Sequence, residues 1–237
     1  MRYANAYGLF IVIVSMYFIG GYLIPPPLRA TLTLPTGTTV IVNFSYYLTL
    51  HIGNPLGIVS ANFLYDGPGN VIAFAEGTIF LGILLRSWPE KGKALVMALS
   101  VMFLAAFGAQ VILYSIFLGY HLDNYYGYGM SGVVAGFIGF LVAGGIVLFR
   151  EMLRGHIELP GRTTRESMTY VVIYCGLLGA VAATIWSFIL ESPLAVLVHL
   201  SALSLGIIGG VCYFRGNQRR RRLQKTAYLI PESKVRA

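Results

Sequence analysis

Long uncharged apolar runs alternate with short charged segments along this chain. With Asp, Glu, Lys and Arg taken as breaks, the strongly apolar stretches are 3–28, 94–122, 124–149, 167–190 and 192–214, and a sixth, 67–85, is interrupted only by Glu76. A helix needs about 20 apolar residues to cross the hydrocarbon of a bilayer. The pattern therefore predicts an all-α polytopic membrane protein with six spans, at about 6–24, 68–85, 94–120, 130–149, 168–190 and 193–214. They form one transmembrane domain over 1–214, followed by a basic tail at 215–237. Pro25, Pro26 and Pro27 stop the first helix by removing backbone donors. The segment 25–66 is expected outside, in the interface or packed on the bundle: its apolar and β-branched pieces at 38–42 and 46–50 are broken by Pro35, Gly37, Asn43, His51, Asn54 and Pro55. The third and fourth spans are joined by a short Tyr- and Gly-rich loop at 121–129, which suits an interfacial aromatic belt.

Composition sharpens the picture. Of 237 residues 57% are apolar and 11% charged, against about 25% charged in an ordinary soluble domain. That excludes a soluble enzyme and a disordered tail. The net charge of +8 combines 17 basic with 9 acidic residues. With six spans and the N-terminus inside, every Lys and Arg except Arg29 falls on the inner side: Arg2, the 86–93 loop, the 150–165 loop and the tail. Cytoplasmic loops carry the excess of Lys and Arg, so both termini are expected in the cytoplasm, and no nucleic-acid partner is needed to explain the charge. The arginines at 219–222 are read first as a stop-transfer anchor, with anionic lipid headgroups as their other use. Cys175 and Cys212 each fall in a span, which argues against a disulfide framework or a zinc site. The first apolar run is long, ends in prolines and lacks a small-x-small cleavage site, so it is taken as a retained span.

Polar residues inside spans are costly and mark function. They are Glu76, Gln110 and His199. Gln110 is expected to hydrogen-bond between helices. His199 sits among Leu194, Val196, Leu197 and Leu203, where an unpartnered imidazole would cost about a few kcal/mol. Ala202, Gly206 and Gly210 follow it at offsets of 3, 7 and 11, on the same helical face. On the fourth span Gly132, Gly136 and Gly139 follow Ser131 at one, five and eight residues. Faces of small residues let helices approach closely. Both helices run from outside to inside, so Ser131 and His199 share a depth and come within hydrogen-bonding reach if the faces pack.

The sequence Gly129-Met130-Ser131-Gly132-Val133-Val134-Ala135-Gly136-Phe137-Ile138-Gly139 resembles the GxSG helix of the rhomboid intramembrane serine proteases. His199-Leu200-Ser201-Ala202-Leu203-Ser204-Leu205-Gly206 resembles that family's histidine helix. The likeness covers roughly 60–214 and implies a six-helix bundle with a water-filled cavity open to the outside. It also implies a Ser131–His199 dyad with no third carboxylate. A serine hydroxyl needs such a base to become a nucleophile, and the backbone donors at the start of its helix can hold an oxyanion. The stretch Phe63-Leu64-Tyr65-Asp66-Gly67-Pro68-Gly69-Asn70 resembles the family's approach to its second helix, where a His and an Asn one turn apart serve the oxyanion. One register puts Asn70 at the His and Phe74 at the Asn; a four-residue shift makes Asn70 the Asn and Asp66 the His. Either way Asn70 is the amide in place to donate to an oxyanion, with a helix cap as its plainer role. Two departures stand: Ala135 occupies a position often aromatic in the family, and Glu76 has no counterpart.

The resemblance implies a serine endopeptidase whose partners are transmembrane protein substrates and membrane lipids; the lack of targeting segments and large appended domains suits a prokaryotic cell membrane. No His/Cys/Asp/Glu cluster has metal-ligand spacing, and no cofactor is expected. Rivals are an inactive relative that binds membrane proteins, and a small transporter lined by Glu76, Asn70 and His199, against which the lack of an internal repeat counts.

Overall fold

In the computed structural model, residues 3–23, 29–33, 39–43, 48–63, 68–86, 88, 90–122, 127, 129–153, 179 and 193–228 are described. Helix α1 (Tyr3–Leu23) ends just before the three prolines. A short helix, α2 (Gly57–Ser60), runs into a 3-10 turn at Ala61–Phe63. Helix α3 (Pro68–Arg86) starts on a proline, whose missing N–H is no loss in a first turn. Helices α4 (Lys91–Gly119), α5 (Ser131–Leu153) and α6 (Pro193–Tyr228) follow. At the end of α4 His121 takes a positive φ of 51°, a left-handed turn that stops the helix. The fifth expected span, 168–190, lies outside the described residues apart from Gly179.

The class is helical, with one addition. Within the segment expected to be irregular, β1 (Arg29–Thr33) pairs antiparallel with β2 (Thr39–Asn43), in a register running from Arg29 opposite Asn43 to Thr33 opposite Thr39. Residues 39–42 of the β-branched piece thus form most of one strand. The last helix also departs from expectation. It does not stop at 214 but continues through Arg215 to Tyr228, because that stretch is rich in Arg, Gln, Leu and Lys, all good helix formers. The boundary between bundle and tail is therefore continuous helix.

Among the described residues, two helices, Lys91–Gly119 and Pro193–Asn217, are long and apolar enough to cross a membrane. Shorter apolar stretches occupy Ala6–Gly20, Gly69–Leu85 and Ser131–Val147. Met16, Leu104, Ile146 and Ile208 project from four of these helices as exposed apolar side chains. Helices apolar on their outer as well as their inner faces suit lipid as the surrounding solvent.

Helix α5 is the axis of the bundle: every residue from Ser131 to Leu141 is buried. It packs on α3, α4 and α6. Phe137 of α5 stacks on Phe74 of α3 at 4.9 Å between centroids, and Phe10 of α1 closes on both at 6.0–6.2 Å. Such pairs each add about 0.5–1.5 kcal/mol beyond the area they bury.

Candidate functional site

The first turn of α5 is set by its approach. Gly129 adopts φ 129°, a conformation that side chains disfavour, and its N–H donates to the Ala61 carbonyl at 2.9 Å. The Met130 carbonyl then accepts from Val133 (2.9 Å) and Val134 (3.2 Å), so the helix begins at Ser131. The leading N–H groups of a helix have no carbonyl four residues back within it. Ser131 stands on that turn, 8% exposed.

Small residues decide what lies beside it. A Cβ on Gly206 of α6 would overlap the Gly136 carbonyl oxygen and come 2.9 Å from its carbon. On Gly139 it would lie 2.9 Å from the Ile207 nitrogen, and on Gly210 it would lie 3.0 Å from the Phe140 oxygen. The two backbones are therefore in direct contact, and glycine is required at these positions. The residue numbers of the contacting pairs rise together along both helices, from Gly132 with Val198 to Gly144 with Phe214, so α5 and α6 are parallel. Gly132 differs from the others. A Cβ there would meet Val198, Ala106 and Asn62 at ordinary distances of 3.7–3.8 Å, so it is not a steric necessity. Val198, the residue that a Cβ on Gly132 would meet, directly precedes His199, which is 3% exposed. Ala202 is buried one turn on, in an apolar cluster with Ala135, Val198, Leu50 and Ala61. Small residues thus pack on small residues around Ala135, the departure noted in the sequence.

Asn70 is buried in the first turn of α3. Contacts of Phe74 with Phe137 and of Leu84 with Gly144 make α3 parallel to α5 as well. Asn70, one turn above Phe74, therefore comes to the end of the bundle that holds Ser131, within about 6 Å in depth. Phe74 is part of the aromatic core with Phe10, Phe18 and Phe137 and carries no donor. Asp66, the candidate in the shifted register, lies outside the described residues. Glu76 is half-buried on α3, about 9 Å farther along the helix than Asn70.

Part of the segment expected in the interface or packed on the bundle, residues 48–63, caps this end. Leu50 and Gly127 exchange two backbone hydrogen bonds of 2.9 Å. The Tyr17 hydroxyl of α1 donates to the Asn62 carbonyl, and the Tyr114 hydroxyl of α4 donates to the Ile52 carbonyl at 3.1 Å. The segment 48–63 is thus tied to α1, to α4 and to the approach of α5. Asn62 is fully buried and its Oδ1 has no hydrogen-bond partner among the described residues. The same holds for Oε1 of Gln110, which is buried beside Gly127. Gln110 therefore does not use its oxygen in the interhelical bond expected of it, and both oxygens lie near the start of α5. Nothing in the interrupted composition of 48–63 marked Asn62. Among the described residues no group of three His, Cys, Asp or Glu is placed to hold a metal ion.

Comparison with protein-family models, with curated proteins and with solved structures finds no match to this chain.

Proposed function

We propose that the chain is a rhomboid-like intramembrane serine endopeptidase that cleaves transmembrane or membrane-adjacent segments of other proteins. The observation that supports this reading is the glycine-to-glycine contact of α5 and α6, with Ser131 in the first turn of one helix and His199 buried on the other. In the proposed reaction Ser131 Oγ attacks the scissile carbonyl while His199 takes its proton. The tetrahedral oxyanion is held by the Ser131 backbone N–H and the Asn70 amide. His199 then returns the proton to the leaving amine, and water, activated in the same way, releases the acyl group from Ser131. Losing one oxyanion donor typically costs about 10²–10³ in rate.

A helix hides its carbonyls in hydrogen bonds, so the substrates are proteins with small or helix-breaking residues near the outer interface. The topology belongs to the same proposal: six spans, including 168–190, with both termini in the cytoplasm. A second reading, an inactive relative that binds membrane proteins, is favoured by Phe74, which fills a core position with no donor.

Labelling of the purified protein with a serine-directed fluorophosphonate separates the two. Labelling lost in Ser131→Ala and in His199→Ala supports the protease. A folded wild-type protein that takes no label supports the binder.

A further inference from the structure

The turn that carries Ser131 is joined to α1 through two adjacent carbonyls of the cap. Gly129, two residues before Ser131, takes the left-handed φ of 129° and donates its N–H to the Ala61 carbonyl at 2.9 Å. The next carbonyl along the chain, that of Asn62, accepts from the Tyr17 hydroxyl of α1. One 3-10 turn thus holds the approach of Ser131 with one hand and α1 with the other.

Each link is braced. The Tyr17 ring stands edge-on to Phe18 of α1, Phe63 of the cap and Phe103 of α4, at 5.2–5.4 Å between centroids, so three elements fix where its hydroxyl points. Asn62 is fully buried, and its Nδ2 donates to the Ile58 carbonyl at 2.8 Å, which orients the residue within the cap. Its Oδ1 then lies 3.8 Å from the position of a Cβ on Gly132, in the first turn of α5. Aromatic packing needs only the ring, so the hydroxyl has its use in the Asn62 carbonyl. Without that donor a buried carbonyl is left short of a hydrogen bond, and the turn relaxes toward other donors, taking Ala61 and Gly129 with it.

We propose that Tyr17 is a positioning residue whose hydroxyl, through Asn62 and Ala61, sets the first turn of α5 for attack by Ser131. The proposal rests on Ser131 being the nucleophile.

The test follows fluorophosphonate labelling of the full-length protein over a range of probe concentrations, which separates the maximal rate constant from the half-saturating concentration. Tyr17→Phe keeps the ring and removes only the hydroxyl. Tyr7→Phe is the control: that hydroxyl makes a bond of the same kind to the Thr78 carbonyl at 2.6 Å, about 15 Å back along α1. Tyr17→Phe is expected to lower the maximal rate constant about tenfold, short of the ~10²-fold of a 1 Å misplacement, with the half-saturating concentration unchanged. Tyr7→Phe leaves both at wild-type values. Amide hydrogen exchange in the peptide containing Gly129 and Ser131 should quicken in Tyr17→Phe alone. A wild-type maximal rate in Tyr17→Phe, or an equal fall in Tyr7→Phe, would overturn the proposal. A folded wild type that takes no label overturns the protease reading, and this proposal with it.

Discussion

Replacing Gly206 with alanine tests whether contact between α5 and α6 sets the geometry of Ser131 and His199. The added Cβ would overlap the Gly136 carbonyl oxygen and lie 2.9 Å from its carbon and 3.1 Å from its Cα. Carbon atoms settle at about 3.5–4.0 Å, so α6 has to retreat by roughly 1 Å at this level. Helix α5 cannot yield instead. A Cβ position on Gly136 is already 2.8 Å from Ala105 Cβ and 3.0 Å from the Met102 oxygen of α4. His199 is seven residues above Gly206 on the same rigid helix, so much of the shift reaches the imidazole. A misplacement of about 1 Å between reacting groups costs on the order of 10²-fold in rate, and the overpacking destabilises the fold by about 1–3 kcal/mol. The assay is the rate constant for fluorophosphonate labelling of Ser131, measured beside Gly216→Ala. A Cβ at Gly216, on the same helix, meets nothing within 4 Å. Gly206→Ala should label about 10²-fold more slowly, and Gly216→Ala at the wild-type rate. Wild-type labelling by Gly206→Ala, in protein with unchanged circular dichroism and melting temperature, would refute the link between backbone contact and dyad geometry.

Three further outcomes are expected. Asn70→Ala should slow peptide cleavage by about 10²–10³ if its amide holds the oxyanion, while Ser131 still titrates fully with a fluorophosphonate at long times; a change in melting temperature alone would leave Asn70 as a helix cap. Phe74→Ala removes a ring stacked on Phe137 and should cost about 3–5 kcal/mol in unfolding measurements. Phe74→Asn should be no better, because its amide would be buried among Phe10, Phe18 and Phe137 without a partner. Reporter fusions after residue 90 and after residue 122 should report cytoplasmic and external locations respectively; the reverse would invert the topology and remove the proposed active site from the outer face.

What the sequence determined by itself is what adds up locally along the chain. The transfer of apolar side chains is a sum over neighbours in sequence, so the runs that became α1, α3, α4, α5 and α6 were legible from charge spacing alone. The offsets of Gly136 and Gly206 from Ser131 and His199 were legible too, because helical periodicity converts spacing into a shared face. Tertiary structure decided the rest. Phe74 was an ambiguous register position until Phe10, Phe18 and Phe137 surrounded it. The continuation of α6 to Tyr228 depends on helix propensity beyond the last apolar residue, which a hydropathy boundary ignores. The cap at 48–63 rests on backbone bonds between Leu50 and Gly127 and on two tyrosine hydroxyls from distant helices. Bonds between partners so far apart in sequence leave no periodic trace, since their strength depends on loop closure and on the water they exclude rather than on residue spacing.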